Sequence, residues 1–563
     1  MGQGDALKLG RRQLLVAGAL GLAGGVAGCD APPPMLQGGF TGAAHERGHW
    51  LRQPLPQART APATIRRTQV LILGGGVAGL AAARRLQQGG VEDFALLDLE
   101  DEPGGNSRAA SIQGIACPLG AHYLPTPADG NQALLGFLEQ IGLCRRVAGR
   151  WVYDERHLCH SPQERLFFQG HWQEGLLPVS GVGQATLRQY RQFAQQVQAS
   201  RQGGGFAIPA ASAAMDAAAQ ALDALSMQAW LDQQGLMDPH LRWYLDYCCR
   251  DDYGAGLTQV SAWAAVHYFA SRHGFHGPEA ELAERDEGVL TWPEGNAHLV
   301  RAMAAPLLAG GAARLQGASL VHRVQALRHD VQVDVLRAPG QSPERWIAKY
   351  CILALPMFVA MRVLEQPPEL LRQAAQRMSY SAWLVANIHI REPLNDADGA
   401  APAWDNVLYG AATAQGGLGY VDARHQKLDP TPGPTVLTHY RALGPDASSR
   451  QSLLQKSWGD WSQQILHELA QAHPDLARKS TRIDITRYGH AMAMPGPGLQ
   501  THLRQAFAGA QALPSGIAVR ASKRSALRTP VEGRLLFAHS DWSGYSIFEE
   551  AFARGDAAAA LLT

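Results

Sequence analysis

Gly74-Gly75-Gly76-Val77-Ala78-Gly79 sets glycines at G-x-G-x-x-G spacing, and the chemistry of that spacing is the binding of a diphosphate. The six residues stand between the apolar run Gln69-Val70-Leu71-Ile72-Leu73 and a stretch of Ala, Leu and Arg at helical spacing through Gln88. Gly74 permits the tight turn, Gly76 lets backbone approach a pyrophosphate, and Gly79 allows close packing of helix on strand. Val77 and Ala78 open the helix, whose unpaired N–H groups and positive dipole end attract phosphate. Some twenty residues on, Asp98 and Leu99 follow the apolar run Phe94-Ala95-Leu96-Leu97, where a carboxylate can accept hydrogen bonds from an adenosine ribose. This fingerprint alone leaves NAD and FAD open.

The next residues choose between them. Asp98-Leu99-Glu100-Asp101-Glu102-Pro103-Gly104-Gly105-Asn106-Ser107-Arg108 resembles the second flavin motif of the flavin-containing amine oxidase and phytoene desaturase superfamily. That resemblance implies that Gly104, Gly105 and Arg108 lie along an FAD diphosphate. Leu536 to Tyr545, continuing to Glu549-Glu550-Ala551 and Gly555, resembles the superfamily's closing motif, with Asp541 at its acidic position and His539 where the family has glycine. Tyr545 is then expected to wall the substrate site, and Val324 resembles the family's backbone contact to adenine. Trp292-Pro293-Glu294-Gly295-Asn296-Ala297 and Ala354-Leu355-Pro356 also match, the former resembling bacterial spermidine dehydrogenases. The implied FAD is noncovalent, because no flavin-linking cysteine or histidine motif is found.

The resemblance implies oxidation of an amine or polyamine by hydride transfer from its α-carbon to flavin N5. Many relatives carry a lysine, on a central strand, that contacts N5 through water; the matching run Trp383-Leu384-Val385-Ala386-Asn387-Ile388-His389-Ile390 has none. The expected acceptor is therefore a quinone or cytochrome rather than oxygen. His389 is the candidate substitute on that run, against its reading as a hydrogen-bonded core residue. Asp246, Asp251 and Asp252 beside Tyr244, Tyr247 and Tyr253 can attract a distant ammonium, although a solvated acidic helix end accounts for them more simply. Two other functions stand beside amine oxidation: an isoprenoid or carotenoid-type desaturase or isomerase, and a non-catalytic FAD-stabilised binding or assembly protein.

These residues need a scaffold, and 563 residues give room for two or more interleaved domains. The pattern predicts an α/β protein whose G-x-G-x-x-G-type FAD-binding domain is built from discontinuous segments 67–150, 289–360 and 480–563. Residues 151–288 and 361–479 are expected to form a mixed α+β substrate domain with a large helical part, clearest from Leu187 to Tyr268. One amphipathic helix, bearing Leu453, Leu454, Trp458, Trp461, Ile465 and Leu469, is expected between Asp446 and His473.

Residues 1–29 read as a signal peptide: Lys8, Arg11 and Arg12 precede an uncharged run from Gln13 to Gly28. The paired arginines resemble the twin-arginine signal, which makes the Tat translocase a partner during export. Val26-Ala27-Gly28-Cys29 resembles a lipobox, with Cys29 as the lipidated residue. Residues 30–66, rich in Pro, Gly, Gln and Ala, read as a flexible tether. The expected location is the periplasmic side of a bacterial inner membrane, held by the lipid, or the soluble periplasm if the lipobox is not used. A formal net charge of +1 gives no field for nucleic acid. The six remaining cysteines contain no CxxC, so neither a structural zinc nor a c-type haem is indicated, and Cys248-Cys249 read as half-buried thiols.

Overall fold

The computed structural model of the protein describes residues 36–52, 62, 64–203, 205–277, 288–309, 314–338, 342–410, 416–427, 429, 431–508 and 529–563. Arg11, Arg12, Cys29 and the rest of the expected export signal lie outside the described residues.

Val70, Leu71, Ile72 and Leu73 are each 0% exposed, as expected of a parallel strand covered on both faces. They end the strand Thr64–Leu73, which pairs in parallel with Phe94–Leu97 on one side and Ser342–Leu353 on the other. Leu315–Gln316 extends the sheet beyond Phe94–Leu97, and Val331–Arg337 and Ser319–Ala326 extend it antiparallel beyond Ser342–Leu353. Leu535–Phe537 joins Ser342–Leu353 in parallel. Segments hundreds of residues apart therefore deliver their strand ends to one edge, the place where open α/β sheets bind ligands.

Two helices press on this sheet. Val77–Gln88 and Phe548–Ala560 meet so closely that a Cβ on Gly555 would fall 1.9 Å from the Ala78 carbonyl oxygen. Only glycine lets the two backbones touch.

A second sheet of eight strands has Tyr380–Ile390, buried along its whole length, third from one edge. Ser480–Ala493 and Thr435–Gly444 flank that strand antiparallel. Helices from Gln184 to Tyr268 cover one face of the sheet through a core that includes Tyr190, Phe193, Trp263 and Tyr440. The expected single amphipathic helix is two, Ala447–Gln455 and Trp458–Leu469. Ser457 caps the second, and Trp461, Ile465 and Leu469 pack it inward.

The tether reading of residues 30–66 needs correction over residues 37–52; residues 30–35, 53–61 and 63 lie outside the described residues. Gln37–Thr41 is a strand paired in parallel with Ser480–Ala493, and His45–His49 and Trp50–Arg52 are helical. Sheet-edge pairing uses backbone groups, so Gln-Gly-Gly-Phe-Thr shows no apolar periodicity although it is ordered. Among the described residues no helix is long and apolar enough to cross a membrane.

Candidate active site

The loop after Thr64–Leu73 turns at Gly74, where φ is +101° and a Cβ would lie 2.4 Å from the Ala354 carbonyl oxygen. A Cβ on Gly79 would lie 1.8 Å from the Gly74 oxygen. Gly76 differs: its Cβ would meet nothing nearer than Gly105 Cα at 3.9 Å. Gly76 bridges Gly104 edge to edge, and Gly104 N donates to Gly75 O at 2.8 Å. Bare backbone of two loops thus lines one groove, into which side chains would intrude. No side chain caps the helix Val77–Gln88, so its first-turn N–H groups, starting at Val77 and Ala78, remain for an anion. These residues fit the diphosphate of FAD.

Asp98 accepts from Glu100 N at 2.7 Å and from Gly75 N, and burial pushes its carboxyl up to about 6. Arg108 donates to Gly105 O at 3.1 Å and to Glu100 at 3.3 Å, beside the groove. The Leu99 carbonyl accepts from Arg47. Val324 is fully buried in the same apolar cluster as Leu73 and Leu97, and its carbonyl accepts from Glu365 N at 2.9 Å. Asp541, buried, accepts from Met357 N at 2.8 Å and from Tyr380 OH at 2.5 Å. Burial works against its charge, yet His539 at 3.0 Å and these donors hold its carboxyl below the usual range. His539 in the family's glycine position thus serves as the partner of Asp541.

Asn106, next to this groove, lines a cavity where the second sheet, the helix Pro239–Tyr253 and the start of Phe548–Ala560 meet. Trp383 and Val385 face it from Tyr380–Ile390, and Tyr440 and Tyr488 from the flanking strands. Tyr440 OH donates to Gly120 O at 3.0 Å and Tyr488 OH to Leu119 O at 2.9 Å, which fixes both rings. His122 stacks on Tyr440 with ring centres 4.4 Å apart, and burial lowers it to about 3, so it is neutral at pH 7. The Trp292–Ala297 motif braces this wall: Asn296 N donates to Ala121 O at 3.1 Å and its side chain to Tyr123 O at 2.9 Å.

One side of the cavity is acidic. Asp251 opens into it, and burial, then the charge of Asp252, pushes its carboxyl up to about 7. Arg272 is bound to Asp252 and, at 3.1 Å, to Glu549. Asp405 and Glu164, close enough to feel Asp251, are also raised by burial, Glu164 to about 7. Among the described residues lining the cavity, Arg272 is the one arginine and there is no lysine.

Three expectations change here. The acidic end of Pro239–Tyr253 is not a solvated helix end; Asp252 is 5% exposed and Asp251 faces the cavity, because the second sheet covers it. Tyr545 does not line the cavity; it is 1% exposed with its hydroxyl 3.1 Å from His267, and Ser546, Ile547 and Phe548 take the wall position. His389 is not at the cavity either: it sits two pleats beyond Val385 and binds Thr481 Oγ1 at 2.6 Å. His122, Arg272, Tyr440 and Tyr488 escaped sequence reasoning, since they come from a loop, a helical turn and two separate strands that only the tertiary fold brings together.

The mixed sheet with its parallel centre, the glycine-lined groove and the adjoining cavity fit an FAD-dependent oxidoreductase. Residues 77–563 match the model of the flavin containing amine oxidoreductase family, and the chain belongs to that family, with FAD as its cofactor. A stretch of 56 residues, 10% of this chain and 11% of the relative's length, is 34% identical to polyamine oxidase 1 of Zea mays. A putrescine oxidase structure with bound putrescine superposes with a TM-score of 0.62 at 18% identity, over 88% of this chain and 99% of that one. Cyclohexylamine oxidase from Brevibacterium oxydans gives 0.58 at 17% identity, over 88% and 98%. A fatty acid isomerase from P. acnes gives 0.56 at 12% identity, over 87% and 97%. At these identities the structural likeness establishes the fold.

Proposed function

We propose that the protein oxidises an aliphatic amine bearing a second cationic nitrogen, a diamine or polyamine, and passes the electrons to a quinone or a redox protein such as a cytochrome. The observation that carries this reading is Asp251, turned into an aromatic cavity with Asp405 and Glu164 behind it, while Arg272 is already engaged by Asp252 and Glu549. Burial holds these carboxyls toward their neutral form, and a cation that enters the site favours the ionised one and pairs with it. Asp251 anchors the distal ammonium of the substrate, and the faces of Tyr440 and Tyr488 attract a polarised nitrogen nearer the groove. His122, being neutral, adds no repulsion.

FAD, when bound, supplies the two-electron acceptor for the carbon next to the amine nitrogen. The chain's own residues bind and orient the amine and exclude water around it. Relatives named as polyamine, putrescine and cyclohexylamine oxidases support the amine class. The fatty acid isomerase shares the fold, but fold does not decide function, and a hydrocarbon chain offers Asp251 no partner.

The acceptor reading rests on the absence of lysine from Tyr380–Ile390 and from the described residues lining the cavity, which leaves no lysine ammonium to stabilise the negative charge that develops as oxygen is reduced. Losing electrostatic stabilisation of about 2.7 kcal/mol slows a step roughly a hundredfold. The proposed site of action is the outer face of a bacterial inner membrane, with Cys29 lipidated after Tat export.

The test is anaerobic mixing of the holoenzyme with diamines, monoamines and linoleic acid while flavin absorbance is followed, then reoxidation by air or by a quinone dye. Fast bleaching by diamines, slow bleaching by monoamines, and faster reoxidation by the dye are expected. Bleaching by the fatty acid alone refutes the amine reading. Equal reoxidation by air, with stoichiometric peroxide, refutes the acceptor.

A further inference from the structure

We propose that residues 37–52 form a clamp that retains FAD by closing across its groove once the cofactor is loaded. The segment precedes residues 77–563, the region matched by the family. It grips both banks of the groove. On one bank, Ala44 N donates to both carboxylate oxygens of Glu100, at 3.0 and 3.1 Å, and Arg47 donates to the Leu99 carbonyl and to Asp101 at 3.1 Å. These acceptors directly follow Asp98, and Glu100 also holds Arg108. On the opposite bank, Arg362 donates to Leu51 O at 2.9 Å. Leu51 packs on the cluster of Leu355 and Met357, whose N–H binds Asp541.

Pairing of Gln37–Thr41 with Ser480–Ala493 anchors the start of the clamp. Beneath it lies a cavity of about 560 Å³, walled by Ala44, His45, Glu46, Glu100 and Arg108 among others. A segment tied to the loop after Asp98 and to the helix beside Asp541 spans the carboxylate expected at the adenosine ribose and the acidic position of the closing motif. A bound dinucleotide then leaves only after the clamp lets go, so the clamp acts on the release rate rather than on catalysis. The inference is independent of which amine is oxidised.

Two holoenzyme variants test it. In Gly38→Val the new Cβ would lie 1.8 Å from the Ile483 carbonyl oxygen, which unseats the strand. Arg47→Ala removes the contacts to Leu99 and Asp101 and decides the matter alone if the first variant does not fold. FAD release is followed by free-flavin fluorescence after dilution, and thermal midpoints are measured with and without FAD. We expect release at least tenfold faster, an unchanged spectrum of the bound flavin, and a lower midpoint of the holoenzyme with that of the apoprotein unchanged. Release as slow as in the parent chain, or an equal fall of both midpoints, overturns the clamp and leaves the segment a structural edge strand.

Discussion

Gly76 and its neighbours show how one residue type does different work at adjacent positions. Gly74 and Gly79 are required by the fold, because a Cβ on either would strike backbone. The space beside Gly76 is open, so Gly76→Val is expected to fold normally by circular dichroism yet purify without flavin. A flavin-free but unfolded protein, or a yellow one, contradicts the assignment. Asp251 makes the second prediction. Its carboxyl titrates at about 7, so as pH falls through that value it loses the charge that would hold an ammonium. kcat/KM for a diamine should therefore drop below neutral pH. Asp251→Asn should lower it ten- to a hundredfold at pH 8, the worth of ~1.5–3 kcal/mol for a charged hydrogen bond, and flatten that limb. An unchanged limb in the variant excludes Asp251 as its source. The glycines and Asp98 were legible because each answers to a local rule of turn and spacing, whereas Asp251 was not: a run of acids on a helix looks the same whether water or a sheet covers it.

Elements, rather than single residues, bring the groove together. The helices Val77–Gln88 and Phe548–Ala560 come from opposite ends of the family-matched region and touch at Gly555. Gly555→Val must push them apart, at about 3 kcal/mol by the cost of overpacking, and FAD affinity should fall with stability because both helices border the groove. Urea unfolding followed by flavin release checks this, and an unchanged midpoint refutes the close contact. The strand Tyr380–Ile390 shows the limit of one-dimensional reading. Its run of apolar residues marks it as buried, but alternation sends Trp383 and Val385 to the cavity and leaves His389 beyond it, bonded to Thr481. Tyr545 misled for a related reason: a motif fixes the order of residues, and the turn before Phe548–Ala560 decides which of them reach the cavity.

At the scale of the whole molecule, the proposed twin-arginine route has the chain fold and take up FAD before it is exported. Arg11→Lys with Arg12→Lys should leave a full-length, flavin-loaded precursor in the cytoplasm, and Cys29→Ala should abolish lipid attachment, both read by cell fractionation and mass. Normal export of the double lysine variant would falsify the route. What the amino-acid order determined by itself is local: strand, glycine turn and helix at residues 69–88, the acidic end of the next strand, and the motifs whose company marks an FAD protein. Each depends on neighbours within some thirty residues, where backbone geometry and spacing suffice. Tertiary structure alone decided the rest. Strands from residues 64, 342 and 535 met in one sheet, the segment at 37–52 closed onto Glu100 and Arg362, and Asp251, Tyr440, Tyr488 and Arg272 converged on one cavity. Those contacts join residues hundreds of positions apart, and their chemistry, a carboxylate starved of water beside aromatic faces, exists only once packing has removed the solvent.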